Sequence, residues 1–476
     1  MAKVDSNKLK KIVGKDNVRD DPGTRYVYGS DSSVHEAFAW SVVRPETKEQ
    51  VQKIVRYANS EKIPIIARGS GSGMSGQAVP IKGGIVLDLK KMNKIIEINL
   101  EDGYCRVEAG VIDDDLNRAL KPHGVFYPVA PASSRVATIG GEIANNASGV
   151  RSVKYGAVRD SVLGMEVVMA NGKLVHLGSR TRVEAAGYQM DRLMVGSEGT
   201  LGIIVEAMLK FVPLPKYRCL GVSNFNTLEE AGDTIAAIMA SGAQPSLLEL
   251  MDNVAITAVN KTMDMGLPDV EAILMFEADG MVKEAVDFEI EKMKKICEDN
   301  NGFGIQYSYE ADKRTKLFAG RKKLFPALSK YKDLYSCTSL ADDMAVPYSK
   351  MTKMARRIHE IAKKNNVIMT AYGHCGSGCM HTKILMDATK GKQWYNAKNA
   401  VREIYEYVSE MGGTTSAEHG IGLSKAPAFK LEKKDSLPFM KAVKHALDPN
   451  NILNPGKMMD APDDWVTATK LRYNVN

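Results

Sequence analysis

Cysteine is scarce in this chain, and apolar runs of membrane-spanning length are absent. The six cysteines among 476 residues are scattered and form no CxxC pair or ferredoxin-type series. This excludes a disulfide scaffold and a resident iron–sulfur cluster, and it predicts a reducing, cytoplasmic location. No apolar run reaches the roughly 18 residues that a transmembrane helix needs, and the first residues lack the apolar core of a signal peptide.

Charge is not concentrated in any block of the sequence. The formal net charge of +7 is spread along the chain, and no arginine-rich or aromatic-interleaved segment stands out. A nucleic-acid partner is therefore not expected. Hydrophobic residues make up 44% and charged residues 25% of the sequence, which is ordinary for a globular protein of two or three domains.

The most informative segment is the glycine-rich stretch 68–80. Its glycines at 69, 71, 73 and 76 are interleaved with serines, so a row of backbone N–H groups has no bulky side chain to shield it. Such a row suits phosphate oxygens and predicts a dinucleotide site. A glycine-rich hairpin without a ligand is the structural alternative.

The same stretch formally matches the Gly-x-Gly-x-x-Gly fingerprint of nicotinamide-binding Rossmann units. In those units the last glycine opens a helix. Here the stretch is followed by Pro80 and by the β-branched run 85–87, which predict a turn and a strand. The sequence therefore favours a dinucleotide loop that belongs to another fold.

Local signals predict the elements around this loop. Strand-like residues 39–43, an amphipathic helix that opens at Thr47 and a strand at 63–67 form a predicted β-α-β unit. Asn171-Gly172 is typical of the two-residue turn of a hairpin, and Pro22-Gly23 is expected to form a turn.

A second segment, 131–149, consists mainly of small residues with interspersed hydroxyl and amide side chains. One interpretation is a tightly packed, glycine-rich helix between loops. The other is backbone that passes close to a flat ring or a pyrophosphate, where a larger side chain would collide. The residues of this segment alone favour neither interpretation.

The chain has eight histidines, and three of them lie in two short glycine-rich segments. His374 and His381 flank one bend, and Glu418 precedes His419 in the other segment. Two imidazoles and a carboxylate are suitable ligands for a divalent cation such as Zn²⁺, Fe²⁺ or Mn²⁺. The two histidines alone are more typical of structural residues, whereas the added Glu418-His419 favours a metal site.

Cys375 and Cys379 lie between those two histidines and leave two alternatives open. One is a structural zinc site with two cysteine and two histidine ligands. The other is redox chemistry of the thiols.

A set of motifs in a fixed order identifies a resemblance. The motifs are Arg68–Pro80, Ser133-Ser134, Thr138-Ile139-Gly140-Gly141, Asn145-Asn146-Ala147 with Gly149, Lys154-Tyr155-Gly156 with Arg159-Asp160, and Gly196–Gly202. Together they resemble the FAD-binding domain of the vanillyl-alcohol-oxidase/p-cresol-methylhydroxylase (PCMH) superfamily. Within it, the chain is similar to the group of flavoenzymes that contains the GlcD-type glycolate oxidases and the D-lactate dehydrogenases, over nearly its whole length.

The resemblance implies an α+β fold with three parts. A PCMH-type FAD-binding domain of two subdomains is expected at 1–215, where Pro213 and Pro215 mark the boundary. An α/β cap domain for the substrate, with a helix-covered antiparallel sheet, is expected at 216–430. A C-terminal segment at 431–476 is expected to pack back on the FAD-binding domain.

The resemblance also implies which residues bind the cofactor, which is FAD. Its pyrophosphate is expected in the 69–76 loop, and segments 131–149 and 196–204 are expected to contact the rest of the molecule. The predicted FAD-binding residues are Arg68, Gly69, Ser70, Gly71, Ser72, Gly73, Met74, Ser75, Gly76, Pro131, Ser133, Ser134, Thr138, Gly140, Gly141, Asn145, Ala147, Gly149, Glu198, Gly199, Ile203, Ile204 and Asn454.

For the substrate, the resemblance implies that Arg321 binds a carboxylate, because a guanidinium matches a carboxylate with two parallel hydrogen bonds. Taken alone, the run Gly320-Arg321-Lys322-Lys323 favours a basic surface cluster. The family's usual form of the first histidine segment is Gly-His-x-Gly-Asp-Gly-Asn-x-His, and here Ser377 replaces the acid and Cys379 the amide. The identity of the metal and the substrate preference therefore stay open.

A mechanism follows as a hypothesis. A metal on His374, His381 and Glu418 binds a 2-hydroxy acid, His419 accepts the hydroxyl proton, and the Cα hydride passes to flavin N5. D-lactate oxidation to pyruvate is the predicted reaction, and glycolate and D-2-hydroxyglutarate are the alternative substrates. A flavin enzyme acting on other substrates, such as an alkyl-glycerone-phosphate synthase-like member, and a non-catalytic flavoprotein subunit are the competing classes.

The electron acceptor is the last prediction. Because the chain has neither an iron–sulfur relay nor a transmembrane segment, the electrons must pass to a partner, a quinone or O₂. The resemblance implies an electron-transferring flavoprotein heterodimer, in a complex linked to NAD and ferredoxin that performs electron bifurcation. An iron–sulfur subunit or a quinone is the alternative.

Overall fold

The computed structural model describes residues 4–333, 335–340 and 342–463. These residues group into two compact units. The first unit comprises 4–148, 156–214 and 418–463, and the second comprises 149–155 and 215–417. The domain bounds predicted from the sequence stay predictions, and 464–476 of the predicted C-terminal segment lie outside the described residues.

The first unit contains two main sheets and short helices. Its strands are β1 Val18–Arg19, β2 Ser41–Val43, β3 Ile65–Arg68, β4 Ile85–Asp88, β5 Ile95–Asn99, β6 Tyr104–Glu108, β7 Val125–Phe126, β8 Val162–Val168, β9 Leu174–Gly178, β10 Ile203–Lys210 and β11 Val212–Pro213. Its helices are α1 Ser6–Val13, α2 Pro22–Val27, α3 Lys48–Ser60, α4 Asp113–Leu120, α5 Ile139–Asn145, α7 Val158–Ser161, α8 Met190–Met194, α15 Ala426–Glu432 and α16 Leu437–Leu447; α6, Ser152–Tyr155, belongs to the second unit.

The first sheet has the order β1-β2-β4-β3, in which β2 and β3 both run parallel to β4. Helix α3 connects β2 to β3, so the predicted β-α-β unit is confirmed. The hydroxyl of Thr47 caps this helix by accepting a hydrogen bond from the Gln50 N–H at 3.3 Å. The helix residues Val51, Ile54 and Val55 lie on one face of α3 and are fully buried, as their helical spacing predicts.

The second sheet has the order β5-β6-β10-β8-β9 and is antiparallel. The β8–β9 hairpin contains the predicted Asn171-Gly172 turn, where Gly172 has a φ of +75°. After the glycine loop the chain enters strand β4 and no helix begins between them, as the argument against a Rossmann unit requires.

The C-terminal segment adds to the first sheet. The Ile65 N–H donates to the carbonyl of Ile452 at 2.7 Å, and the Asn454 N–H donates to the carbonyl of Ile65 at 2.8 Å. Through this bridge the C-terminal segment pairs with β3 in parallel, so the predicted return of the chain to the FAD-binding fold is confirmed.

One local prediction is wrong. Pro22-Gly23 was expected to form a turn, but helix α2 begins at Pro22, and the Asp21 carboxylate accepts the Thr24 N–H at 2.8 Å. Proline is well suited to the first helical position because its missing N–H has no partner there in any case.

The second unit is built on one large sheet. Its strands are β12 Tyr217–Phe225, β13 Leu247–Asp252, β14 Ala272–Gly280, β15 Phe303–Ser308, β16 Ser336–Thr338, β17 Met344–Ala345, β18 Ile368–Gly373 and β19 Cys379–Met386. Its longer helices are α9 Leu228–Ala240, α10 Asn253–Met263, α11 Lys283–Asp299, α12 Ala311–Leu328, α13 Met351–Lys364 and α14 Gly391–Glu410.

The sheet order is β15-β12-β14-β13-β18-β19-β16, with antiparallel pairing throughout. Two repeats, β12-α9-β13 and β14-α11-β15, supply half of it. Thr227 and Glu230 form a reciprocal capping box at the start of α9. The predicted helix-covered antiparallel sheet is therefore confirmed. Among the described residues, no helix combines the length and the apolar character that crossing a bilayer requires.

Candidate active site

The glycine loop that follows β3 lines a deep cavity in the first unit. Within the described part of the chain, the backbone N–H groups of 70–74 donate no hydrogen bond to the protein. The carbonyls of Gly71 and Gly73 instead accept the Ser32 N–H at 3.1 and 3.0 Å. These residues are half-buried, and a row of N–H groups without protein acceptors fits the oxygens of a pyrophosphate.

A half-buried cation, Arg68, lies beside the loop. The Arg68 guanidinium donates to the carbonyl of Ser30 at 2.7 Å and lies 5.3 Å from the ring centre of Tyr28. A Cβ added to Gly71 would stand 2.1 Å from this guanidinium, so the loop covers the charge closely. A positive group at this place favours an anionic ligand.

Small residues bring the backbone of segment 131–149 against the cavity. A Cβ on Gly140 would stand 2.7 Å from the Cβ of Ala109, and one on Gly69 would stand 2.1 Å from Oγ1 of Thr138. Thr138 in turn caps α5 by accepting the Gly141 N–H. These contacts leave room for a flat ligand and none for larger side chains, so the observed residues fit FAD.

Most predicted FAD-binding residues line this cavity. They are Arg68, Gly69, Ser70, Gly71, Ser72, Gly73, Met74, Pro131, Ser133, Thr138, Gly140, Gly141, Asn145, Ala147, Glu198, Gly199 and Ile204. The structure places six others outside the lining, namely Ser75, Gly76, Ser134, Gly149, Ile203 and Asn454, of which Gly149 belongs to the second unit. Asn454 is buried nearby and its amide donates to the carbonyls of Gln77 and Glu198.

Several lining residues were not predicted as cofactor contacts. They include Gln77, Leu89, Ala109, Glu142 and Ser148. Gln77, Glu142 and Ser148 lie within or beside the motifs, so the continuity of the loop and of α5 was the available signal for them. Leu89 and Ala109 follow β4 and β6, where no motif marked them. Glu418 and His419, predicted for other roles, line the same cavity.

The Glu418-His419 pair is held in place by other residues of the first unit. Ser148 donates to Oε2 of Glu418 at 2.6 Å, and the Gln77 amide donates to the backbone carbonyl of His419 at 2.5 Å. Oε1 of Glu418 lies 3.6 Å from Nε2 of His419. An imidazole and a carboxylate are thus presented at the cofactor cavity, which is the arrangement that proton transfer needs.

Glu198 clamps the chain just beyond this pair. Its two carboxylate oxygens accept the N–H groups of Ile421 and Gly422 at 2.5 and 2.8 Å. Burial raises the pKa of Glu198 to about 7, against the opposing effect of these two donors. The clamp fixes the backbone on which His419 stands.

Glu142 forms a buried acid pair with Asp113, beside Tyr127. Within the described residues, neither carboxylate oxygen of Glu142 has a hydrogen-bond partner. Burial raises the pKa of Asp113 to about 7, and burial together with Asp113 raises the pKa of Glu142 well above its usual value. A protonated Glu142 adds no negative charge to a cavity that suits a pyrophosphate.

We expect Glu142→Gln to stabilise the FAD-loaded protein at alkaline pH. The folded pair binds more protons than the unfolded chain above about pH 4, so wild-type stability falls as the pH rises through the folded pKa values. Thermal unfolding should show a melting temperature raised by a few degrees at about pH 8 and by less at about pH 5. Glu101→Gln, at an exposed carboxylate, is the control. An equal effect at both pH values would contradict the shared-proton interpretation.

In the second unit, His374 and His381 come together on neighbouring elements. Their ring centres are 5.0 Å apart at an interplanar angle of 87°. Nδ1 of His374 lies 2.5 Å from Oε1 of Glu249, and Nδ1 of His381 lies 3.3 Å from Oδ1 of Asp342. Neither carboxylate was predicted, because the acids belong to segments far away in sequence.

Both carboxylates also pair with buried cations. Burial acts to raise the pKa of Glu249, but His374 and Arg321 outweigh it and hold that pKa below its usual value. Burial acts to lower the pKa of Lys383, but the Asp342 charge outweighs it and raises that pKa. Glu249 is therefore ionised near neutral pH.

Arg321 lies on α12 and pairs with Glu249, its Nε donating to Oε2 at 2.7 Å. Its guanidinium lies 4.8 Å from the ring centre of Tyr372, and only 14% of its side chain is exposed. Arg321 is therefore not part of an exposed basic cluster. Its predicted role toward a substrate carboxylate stays a prediction.

The two cysteines between the histidines have different surroundings. The Cys375 thiol donates to the backbone carbonyl of Leu248 at 3.1 Å, and burial raises its pKa well above the usual value. The Cys379 sulfur lies 3.6 Å from Oδ1 of Asp343 and 3.8 Å from Nε2 of His381. Cys379 and Asp343 thus join His381 as candidate donors, whereas Cys375 is engaged elsewhere.

The predicted metal ligands are divided between the units. His374 and His381 belong to the second unit and Glu418 to the first. Imidazole nitrogens, with a thiol and a carboxylate beside one of them, are a donor set that suits Zn²⁺ or Fe²⁺.

Comparisons with known proteins agree with this geometry. A family described as FAD linked oxidases, C-terminal domain, matches residues 214–458, and one described as FAD binding domain matches residues 40–178. The chain is 36% identical to the glycolate oxidase subunit GlcD of Bacillus subtilis (strain 168) over 453 residues, which cover 94% of this chain and 95% of that protein.

Two further matches extend the comparison. The chain is 33% identical to the mitochondrial D-lactate dehydrogenase [cytochrome] of Arabidopsis thaliana over 461 residues, covering 94% of this chain and 79% of that protein. The crystal structure of p-cresol methylhydroxylase with substrate bound matches with a TM-score of 0.79 at 21% identity, covering 95% of this chain and 96% of that one. The predicted PCMH-type fold is therefore confirmed.

Proposed function

The chain belongs to the FAD-linked 2-hydroxy acid dehydrogenases, the family of glycolate oxidase subunit GlcD and D-lactate dehydrogenase, and from that premise we propose that it oxidises D-lactate to pyruvate. The observation that carries the proposal is the position of Glu418 and His419. They line the same cavity as the glycine loop, so acid–base groups stand where the cofactor binds.

FAD, when bound, supplies the acceptor for the hydride that leaves the substrate. The chain's own part is to hold and orient the reactants. The N–H groups of 70–74 and Arg68 bind the pyrophosphate, and the small residues of 137–147 admit the rest of the cofactor. His419 is the catalytic base that takes the hydroxyl proton, and Gln77 and Glu198 hold its backbone.

Substrate binding is proposed for residues of the second unit. Arg321 binds the substrate carboxylate through its Nη groups, while its Nε stays on Glu249. His374, His381 and Glu418 would hold a divalent cation, and such an ion would supply a Lewis acid that lowers the pKa of the substrate hydroxyl. The chemistry of the donors supports Zn²⁺ or Fe²⁺, with Mn²⁺ as a third choice.

The electron acceptor is proposed to be an electron-transferring flavoprotein, in a cytoplasmic complex linked to NAD and ferredoxin. None of the six cysteines forms a disulfide, and their spacing offers no CxxC pair for a cluster, which supports a separate carrier. An iron–sulfur subunit is the alternative, since the Bacillus subtilis relative is named as a subunit and is therefore one part of a larger assembly.

Glycolate is the second candidate substrate, because that same relative is named for it. Anaerobic titration of the purified, FAD-loaded chain decides between the candidates. We expect D-lactate to bleach the flavin absorbance faster than L-lactate, glycolate or D-2-hydroxyglutarate. Succinate, which has carboxylates but no hydroxyl group, is the control. Failure of every 2-hydroxy acid to reduce the flavin would contradict the proposal.

A further inference from the structure

The second unit contains two chains of contacts that share one pattern. In the first, Arg321 on α12 donates to Glu249 on β13, and the other oxygen of Glu249 lies 2.5 Å from Nδ1 of His374. A cation, a carboxylate and an imidazole follow one another. Glu249 is fully buried, so its position is set by these two partners and the surrounding sheet.

The second chain of contacts repeats the pattern with different residues. Lys383 on β19 donates to Oδ2 of Asp342 and, at 2.6 Å, to the hydroxyl of Ser339. The other oxygen of Asp342 lies 3.3 Å from Nδ1 of His381, which is an ion-pair contact rather than a hydrogen bond. Lys383 and Asp342 are 2% and 1% exposed, so both charges are removed from water. Removing two charges from water costs hydration free energy, which is recovered only where their geometry and further hydrogen bonds are good.

An imidazole has two ring nitrogens, and the hydrogen-bond partner of one nitrogen determines whether the other carries a proton or a lone pair. A carboxylate facing Nδ1 favours a proton there and leaves the lone pair on Nε2. In the first chain of contacts the carboxylate is hydrogen-bonded to Nδ1, and in the second the carboxylate makes an ion-pair contact with Nδ1. The sulfur of Cys379 lies on the Nε2 side of His381, where candidate metal donors gather.

We propose that Glu249 and Asp342 are positioning residues that orient His374 and His381, so that Nε2 of each histidine is presented to a divalent cation. Arg321 and Lys383 anchor the two carboxylates. The inference rests on the metal-binding part of the proposed function. It gives Arg321 a second role, because the residue proposed to bind the substrate also holds the acid behind one histidine.

Metal affinity tests the proposal without using activity. Wild-type protein, Glu249→Gln and Asp342→Asn are prepared with FAD bound, stripped of metal, and titrated with Zn²⁺ and with Mn²⁺ by calorimetry. Each variant is expected to bind about 10- to 100-fold more weakly, the usual effect of losing a carboxylate behind a metal-bound histidine. Flavin absorbance and thermal unfolding report whether each variant is folded.

The matched control is Glu277→Gln. Glu277 on β14 is a buried carboxylate of the same sheet and pairs with Arg218 at 2.9 Å, as Glu249 pairs with Arg321. The hydroxyl of Ser246 donates to the same carboxylate, in the place where Glu249 meets an imidazole. Its substitution should leave the metal affinity unchanged. A loss as large as that of the other two variants would overturn the proposal, because it would show a general effect of removing a buried charge.

A second measurement uses wild-type protein and needs no variant. Nitrogen NMR of protein labelled in its histidines is expected to show the proton of His374 and His381 on Nδ1 in the metal-free state. The opposite tautomer, or wild-type affinity in both folded variants, would overturn the inference. Reduction of the flavin by 2-hydroxy acids in a protein that binds neither metal would overturn the inference and the metal-binding part of the proposed function, but not the proposed reaction. Failure of flavin reduction with intact metal binding would overturn the proposed reaction and leave the inference standing.

Discussion

Replacing His419 by alanine is expected to leave FAD bound and to slow flavin reduction by D-lactate about 10²- to 10⁴-fold, the usual contribution of a general base. FAD is expected to stay bound because the residues proposed to contact it lie in 68–74 and in segment 131–149, and the imidazole is not one of them. The rate falls because no other described side chain with an imidazole lines the cavity.

Stopped-flow measurement of flavin bleaching under anaerobic conditions gives this rate directly. The pH profile of the variant should lose the limb that belongs to the base in the wild-type protein. His176→Ala, at an exposed position on β9, is the control and should reduce at the wild-type rate. A His419→Ala protein that reduces at the wild-type rate would remove His419 from the mechanism.

Gly422→Ala is expected to have the second large effect, on cofactor binding and on activity together. Gly422 has a φ of +51°, and a Cβ there would stand 2.2 Å from the backbone carbonyl oxygen of Ser75. The methyl group has no room unless the segment moves. Since Gly422 also donates to Glu198, a shift releases the clamp that holds the backbone of His419.

The variant is expected to lose most of its bound FAD. In the fraction that retains FAD, flavin reduction is expected to be about 10²-fold slower, because a catalytic group displaced by about 1 Å lowers the rate by about that factor. Gly124→Ala is the matched control. Gly124 has a φ of +68°, but no atom lies within 4 Å of the added Cβ. That variant should lose about 1 kcal/mol of stability and keep FAD and activity. Full activity in Gly422→Ala would contradict the clamp.

Local patterns predicted most of the fold because the deciding interactions lie close together in sequence. Thr47 caps the helix that it was expected to open, and Asn171-Gly172 closes the predicted hairpin. The prediction for Pro22 was wrong because a proline followed by glycine is typical of turns. The pattern did not take account of Asp21, whose side chain caps the helix that begins at Pro22. The order of motifs, rather than any single motif, identified the PCMH-type fold.

The site was less predictable because its contacts join distant segments. Glu249 stands 125 positions before His374, inside an apolar strand where nothing local marks it as a histidine partner. Asp342 and Lys383 are likewise 41 positions apart. Glu142 lies in the small-residue segment 131–149, and its partner Asp113 lies outside that segment. The pair is therefore visible only in the folded chain. Such pairs depend on sheet order, which sequence periodicity does not determine.

The most direct test of the central claim is a single-turnover stoichiometry. Purified protein loaded with FAD is mixed anaerobically with a small excess of D-lactate, and reduced flavin and pyruvate are quantified in the same sample. The account predicts one pyruvate for each flavin reduced, with both yields abolished together in the His419→Ala protein on the time scale of the wild-type reaction. Flavin that stays oxidised in the wild-type protein, or flavin reduced without formation of a 2-oxo acid, would contradict it.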